Sequence, residues 1–315
     1  MKGSLSMVFM GTSGFATPIL QALHDHDDLI AVVTQPDRAR GRGRVLALSE
    51  VKQRAIELGV PVHQPEKVRD ALFIDEIRGM NPELIVVAAY GQILPGALLS
   101  VPPLGCVNVH ASLLPKYRGA APIHWALVQG ESETGVTTML MDEGMDTGPV
   151  LLSRVVPIYP EDTAGSLQER LAAAGAALII DTIEGLKGGN LRPTPQDSSQ
   201  VTYAPPFTKK DGWMDWRQPA WALHNRIRAF NPWPGAFTRL EGKMLKIFRT
   251  AVDETGESRP PGCVVNVGEE GIRVATGKGH IILKEVQLEG KKRLPVQAFL
   301  LGYCVEAGAM LGDEP

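Results

Sequence analysis

Through the first half of the chain, short apolar runs rich in β-branched residues alternate with longer stretches of helical period, and this alternation does most to restrict the possible folds. Leu5–Met10, Leu29–Thr34 and Pro61–His63 read as strands, with helical patterns at Pro18–Leu23 and Ser49–Leu58 between them. Further strands are expected at Leu84–Ala89 (LIVVAA), Cys106–His110 (CVNVH) and Val136–Met141 (VTTMLM), the last preceded by a helical stretch at Pro122–Gln129. Runs that are apolar on both faces suit strands covered on both faces by helices. The expectation is an α/β fold with a doubly wound, mostly parallel sheet.

Asp162–Leu186 predicts one long helix, or two broken at Gly175, with Thr163 as its cap and Ser166 with Glu169 as a capping-box pair. After it, GGNLRPTPQDSSQVTYAPPF is rich in Gly, Pro, Ser and Thr and has no sustained period, so residues 189–207 read as a linker between domains at 1–188 and 208–315. Beyond the linker a helical pattern at Ala220–Phe230 precedes short strand-like runs at Ala236–Leu240, Leu245–Val252, Val264–Val267, Ile272–Ala275 and Ile281–Val286. Five short strands punctuated by glycine suggest a small β-barrel of the oligonucleotide-binding (OB) kind. Two domains also fit a length of 315 residues, beyond the size at which one core stops growing.

With 44% hydrophobic and 21% charged residues, the composition excludes wholesale disorder. No apolar run approaches the ~20 residues that span a bilayer, and the start, MKGSLSMVFMG, turns to glycine before a secretory core forms, so a cytoplasmic protein is expected. Cys106, Cys263 and Cys304 are odd in number and widely spaced, which fits reduced thiols rather than a disulfide framework or a zinc cluster. His24 and His26 in HDHDDL read as a solvated turn, and no metal is assigned. The net charge of −3 is unevenly divided. Residues 1–207 hold sixteen basic against twenty-two acidic side chains, or −6, and residues 208–315 sixteen against thirteen, or +3, so the second half is the better placed to meet a polyanion.

Gly11 and Gly14 in GTSGFATP follow the first strand, but their spacing is not G-x-G-x-x-G and no acidic residue closes the second strand, which argues against a dinucleotide. A tight strand-to-helix turn that brings glycine near a ligand is expected instead. In TQPDRARGRGRV, Arg38, Arg40, Arg42 and Arg44 alternate with small residues and offer forked donors suited to phosphate oxygens, unless they form only a solvated basic loop. Asn108 and His110 stand two apart on one strand and so face the same way, which is unusual for polar residues in an apolar sheet. Together they form either a buried hydrogen-bond network or a cradle for a carbonyl oxygen that becomes an oxyanion. Asp146, in MDEGMDTGPV, is placed to hold the imidazole in its cationic form or to receive a proton, with Asp142 and Glu143 as competing carboxylates. Met139, Met141 and Met145 fit flexible core filling. Four of the five tryptophans lie between Trp213 and Trp233 among Lys209, Lys210, Arg217, Arg226 and Arg228, a pattern shared by base-stacking surfaces and interdomain packing. The NPWPG run reads as a rigid turn.

The run NVHASLLPKYRGAAPIHWAL, followed by MDEGMDTGPVL, resembles the formyltransferases that use 10-formyltetrahydrofolate. TQPDRARGRGR, AYGQILP at Ala89–Pro95 and RAFNPWPG at Arg228–Gly235 are similar to the branch of that family whose acceptor is aminoacylated tRNA, and the likeness runs from Met7 to about Leu301. The resemblance implies a Rossmann-like amino-terminal domain that binds the folate and catalyses, joined to an OB-like domain that helps hold methionyl initiator tRNA. It implies Asn108, His110 and Asp146 as the catalytic trio. Ser112, Leu113, Leu114 and Pro115 would line the folate site with Tyr90, Gly91, Ile93 and Leu94, and Arg38, Arg40, Arg42 and Arg44 would reach the acceptor stem. Where the family commonly has Tyr-Ala-x-Lys, this chain has Tyr203-Ala204-Pro205-Pro206, so Lys209 and Lys210 are the replacement candidates for a tRNA contact. No metal is implied, no membrane association, and the chain is expected to act as a monomer. A formyltransferase for a nucleotide-linked amino sugar is the nearest alternative, and an RNA-binding protein with an inactive enzyme domain the alternative from another class.

Overall fold

The structure, a computed structural model, describes residues 4–40, 45–255 and 259–312. The side chain of Arg40 and the whole of Arg42 and Arg44 fall outside the described parts. Contacts divide the chain into two compact units, one of residues 1–122, 133–157 and 168–204, the other of 123–132, 158–167 and 205–315. The second unit therefore takes two segments from within the first half of the sequence, and most of the stretch read as a linker packs with the first unit.

The first unit contains β1 (Ser6–Gly11), α1 (Thr17–His26), β2 (Asp28–Val33), a ribbon of β3 (Arg38–Arg40) and β4 (Val45–Ala47), α2 (Glu50–Glu57), β5 (Val62–His63), α3 (Ala71–Met80), β6 (Leu84–Ala88), α4 (Gly96–Leu99), β7 (Cys106–His110), β8 (Glu133–Leu140) and β9 (Val150–Pro157). Its main sheet runs β5-β2-β1-β6-β7-β8-β9, parallel through β7 and antiparallel beyond. The chain winds outward from β1 to β5 and then returns to β6 on the other side of β1. That reversal opens a crevice at the carboxyl ends of the strands, where doubly wound sheets hold ligands.

The strand signals are borne out because burial follows them. Every residue of β6 is buried, and Val8, Met10, Ile85 and Val87 pack with Phe73, Ile74 and Ile77 of α3 on one face. Ser49 caps α2, its hydroxyl accepting from Lys52 N at 3.0 Å. The long helix is single: α6 (Ala164–Gly188) continues through Gly175, where a Cβ would press within 3.1 Å of Val109 and 3.5 Å of Val136, so the absent side chain lets the helix lie close on the sheet. Its capping box differs from the one expected. Thr163 Oγ1 accepts from Ser166 N and Ser166 Oγ accepts from Thr163 N, so Ser166 fills the reciprocal position and Glu169 lies a turn too far along. Gly11 is explained by packing rather than by a ligand, since Phe9 and Ala16 close on it. Absent from the sequence reading are β9, α3 and the β3–β4 ribbon.

The second unit holds α5 (Pro122–Val128) apart from its first residue, α7 (Ala220–Ala229), β10 (Ala236–Leu240), β11 (Lys243–Asp253), β12 (Val264–Gly268), β13 (Gly271–Ala275), β14 (His280–Leu288), β15 (Leu294–Pro295) and α8 (Val296–Leu300). The antiparallel order is β10-β11-β14-β13-β12, with β15 beside β14. The two edges are joined by the end of the chain. Leu311 bridges to Leu240 and Met310 to Cys263, with Val264 N donating to Ala309 O and Gly312 N to Arg239 O. Closure of this kind joins the two edges and gives the barrel expected from five short strands. Inside it Trp216, Leu245, Val274, Leu283 and Leu311 share one core.

Candidate active site

Asn108 and His110 alternate along β7, and the sheet spacing sends both to the side from which Asp146 approaches. Asp146 Oδ2 lies 3.6 Å from His110 Nδ1 and Oδ1 lies 3.4 Å from Asn108 Nδ2, so one carboxylate touches both partners. The same Oδ2 accepts a short bond from Gly119 N, 2.8 Å. Of the three carboxylates left open by the sequence, Asp146 reaches the pair. Asp142 instead accepts from Thr147 Oγ1 and Gly144 N within its own loop.

The other imidazole nitrogen fixes the proton arrangement. His110 Nε2 stands 2.9 Å from the carbonyl oxygen of Tyr117, which can only accept, so Nε2 carries a hydrogen and donates it. Nδ1 therefore holds a lone pair in the neutral ring and becomes a donor only in the imidazolium, where it points at Asp146. His110 is 6% exposed, and so little water competes for these bonds.

Gly119 lies at φ +118°, and a Cβ there would come within 2.9 Å of the carbonyl oxygen of Ala204. Glycine alone permits both that conformation and the close passage of residues 202–204, which exchange bonds with Arg118: Arg118 N donates to Thr202 O and Ala204 N to Arg118 O. Gln196, on the same segment, donates to the carbonyls of Asp146 and Gly148. No motif singled out Gln196, Arg118, Tyr117 or Gly119, although the last three stand inside the run compared with known formyltransferases.

The residues given to folate by resemblance divide into two groups. Ile93 is 80% exposed and Gly91 is exposed, whereas Tyr90, Leu94, Ser112 and Leu114 are buried, with Leu113 and Pro115 between. Tyr90 is packed in the core, where burial pushes its phenol up to about 12. The Ser112 hydroxyl donates to Lys116 O at 2.6 Å and shapes the loop after β7. A Cβ at Gly96 would meet the Glu143 carboxylate, so the end of the 89–95 run and the 142–147 loop approach each other there.

Beside this run, a cavity of about 250 Å³ is lined by Thr12, Gln35, Pro36, Arg38, Ala47, Ser49 and Gly91. It places Arg38 of the basic ribbon and Gly91 of the folate-assigned run on one opening. Lys209 and Lys210 are exposed on a short turn. The arginines that follow are engaged internally: Arg226 donates to Asp211 O, and Arg228 to the carbonyls of Tyr159, Pro160 and Asp162. Trp216 is core, Trp213 lies edge-on to Phe237, and Trp221 and Trp233 are about half exposed.

The doubly wound sheet holds this trio at its carboxyl edge, and an antiparallel barrel follows it in the chain. The family model described as formyl transferase matches residues 5–183, and the formyl transferase C-terminal domain matches 206–304. Methionyl-tRNA formyltransferase of Trichlorobacter lovleyi is 50% identical over 306 residues, covering 97% of this chain and 96% of the relative. That of Geobacter sulfurreducens is 51% identical over 310 residues, covering 98% and 97%. The chain belongs to the methionyl-tRNA formyltransferase family. Among solved structures, an N-formyltransferase from Helicobacter canadensis in complex with folinic acid and dTDP-3-aminofucose superposes with a TM-score of 0.64 at 18% identity, over 92% of this chain and all of that one. HypX from Aquifex aeolicus in complex with tetrahydrofolic acid gives 0.61 at 18%, over 95% of this chain and 47% of its own length. At such identities these likenesses speak to the fold.

Proposed function

We propose that the chain transfers the formyl group of 10-formyltetrahydrofolate to the α-amine of methionyl initiator tRNA, with residues 1–188 binding the folate and catalysing and residues 208–315 helping to hold the tRNA. The observation that carries the chemistry is the meeting of Asn108, His110 and Asp146 on one face. Acceptor identity rests on relatives at about 50% identity over nearly the whole chain.

The amine nitrogen attacks the formyl carbon, a C–N bond forms, and the carbonyl π pair moves to oxygen. An α-amine has a pKa of about 7.7–8.0 and an adjacent ester lowers it, so the nucleophile needs little activation near neutral pH. The oxyanion is the larger demand. Asn108 Nδ2, through the hydrogen not turned to Asp146, and the Nδ1–H of protonated His110, turning from Asp146 to the oxyanion as charge develops there, supply the donors, and the Asp146 carboxylate stays beside the imidazolium as its counter-charge. A proton then passes from the attacking nitrogen, through Asp146 and water, to the folate nitrogen. The oxyanion reforms its carbonyl, the C–N bond to folate breaks, and tetrahydrofolate leaves. The exposed Ile93 and Gly91 offer the donor its surface. Arg38, Arg40, Arg42 and Arg44, with Lys209 and Lys210, are the proposed phosphate contacts. All three catalytic groups come from one chain, in keeping with a monomer. Among the described residues no helix is long and apolar enough to cross a membrane, and we place the reaction in the cytoplasm, where aminoacylated tRNA is used.

The test is formyl transfer to methionyl-tRNA with initiator and elongator species in parallel. Transfer favouring the initiator is expected. Folate binding without transfer to either tRNA would point to a nucleotide-linked amino sugar as the acceptor.

A further inference from the structure

Asp146 occupies the left-handed region, φ +53°, which aspartate enters more readily than most residues with a Cβ, and its surroundings hold the turn there. The surroundings that do so come from the stretch read in sequence as a linker. Gln196 Nε2 donates to Asp146 O at 2.8 Å and to Gly148 O at 2.7 Å, bracketing the turn that aims the carboxylate. The orientation of the amide is set from its other end, where Arg118 Nε and Nη2 donate to Gln196 Oε1 at 3.1 and 2.8 Å. A flipped amide would turn its nitrogen to a guanidinium and its oxygen to two carbonyls, so the assignment is unambiguous.

The segment is held in register nearby. Thr194 and Val150 exchange both backbone bonds at 2.8 Å, two residues from Gln196, and Tyr117 N donates to Thr202 Oγ1 at 2.8 Å. Arg118 is itself buried and stands between Tyr117, whose carbonyl orients His110, and Gly119, whose N–H meets Asp146. Residues 194–204 thus form a strap across both loops that carry the site.

We propose that Gln196 is a positioning residue for formyl transfer: its two donated bonds lock the Asp146 backbone so that the carboxylate stays against His110 Nδ1 and Asn108 Nδ2. The proposal rests on the reading of Asp146 as catalytic. Glutamine is required over glutamate, although the two are equal in size. Glutamate keeps an acceptor for Arg118 but has no N–H, and its charge would face two carbonyl oxygens.

The experiment compares Gln196→Ala, Gln196→Glu, Asp146→Ala and the Gln196→Ala/Asp146→Ala double variant in steady-state and single-turnover transfer to methionyl initiator tRNA. Gln196→Ala and Gln196→Glu are each expected to lower kcat by about 10- to 100-fold, the scale of a small misplacement of a reacting group, with KM for folate and tRNA within about threefold. In the Asp146→Ala background, Gln196→Ala should remove nothing further, because it acts through the residue already lost. Wild-type kcat in Gln196→Glu beside an inactive Asp146→Ala would overturn this proposal alone. So would an undiminished effect of Gln196→Ala in the double variant, or a rise in KM with kcat unchanged. Full turnover by Asp146→Ala would overturn the reading of the site and this proposal with it.

Discussion

His110 shows how much chemistry a single contact can decide. With Nε2 given to the Tyr117 carbonyl, the ring can donate toward an oxyanion only through a protonated Nδ1, and Asp146 is the carboxylate that Nδ1 faces. His110→Ala is expected to raise the barrier to turnover by about 2.7–4 kcal/mol, the usual loss of an oxyanion donor, and Asp146→Ala to lower kcat comparably by removing the proton relay and the charge beside the imidazolium, while tRNA affinity in a filter-binding assay stays nearly unchanged for both. A second histidine bears on stability rather than catalysis. Burial, with help from the neighbouring Arg228 charge and against Glu161, pushes His224 down to about 4, and its Nδ1 pairs with Thr250 Oγ1 at 2.9 Å. The unfolded chain, with an ordinary histidine near 6.5, therefore binds more protons between about pH 6.5 and 4, so stability falls as pH is lowered through that window, by up to about 3 kcal/mol. Urea titrations across it should show that slope, and His224→Gln should flatten it. Asn108 and His110 were legible in sequence because strand alternation is local, whereas the hydrogen that His110 carries was not, since it depends on a carbonyl seven residues away and a turn between.

Among the elements, the last strand-like segment has a role that its sequence does not announce. Residues 308–312 join both edges of the second sheet, and Leu311 is 3% exposed in its core. Leu311→Ala should destabilise the barrel by about 2–5 kcal/mol, measured by chemical denaturation followed at tryptophan, since it empties part of the core that Trp216 shares. Gly119→Ala should act on the first unit, forcing a side chain into a glycine-only conformation against the Ala204 carbonyl. A loss of about 1–3 kcal/mol, together with lower kcat, is expected. The strands β1, β2, β6 and β7 were readable because burial on both faces leaves continuous apolar runs. Strand β9 was not, because only two of its eight residues are buried and its pattern, VLLSRVVP, alternates imperfectly.

For the molecule as a whole, the relevant asymmetry is charge. The second half carries +3 against −6, yet Arg226 and Arg228 bond to internal carbonyls, so positive charge for a partner falls to exposed groups such as Lys209 and Lys210 and, in the first half, to Arg38. Arg38→Ala and Arg42→Ala are expected to weaken use of charged tRNA with little effect on folate binding, and the penalty should shrink as salt rises, each lost phosphate contact lowering the salt slope by about 0.7–0.9. Measurement of KM for tRNA between low and physiological salt checks this, and a salt-independent defect would indicate misfolding. RAFNPWPG, which reads as a tRNA-branch signature, is structural at its first residue: Arg228 ties three carbonyls of residues 159–162.

The amino-acid sequence by itself determined the doubly wound sheet, the barrel that follows it, the pairing of Asn108 with His110 and the class of chemistry, because all of these rest on local periodicity or on contiguous motifs. Tertiary structure alone decided which imidazole nitrogen is free and that the stretch without periodicity lies along the loops around Asp146, and it supplied the contact for Asp146, which the resemblance to known formyltransferases had already implied. Those depend on groups brought together across 7 to 85 residues of chain, from His110 with Tyr117, through Gly119 with Asp146, to Tyr117 with Thr202. Hydrogen bonds of that span are directional and leave no repeat in the sequence, whereas apolar burial leaves one at every turn and every strand.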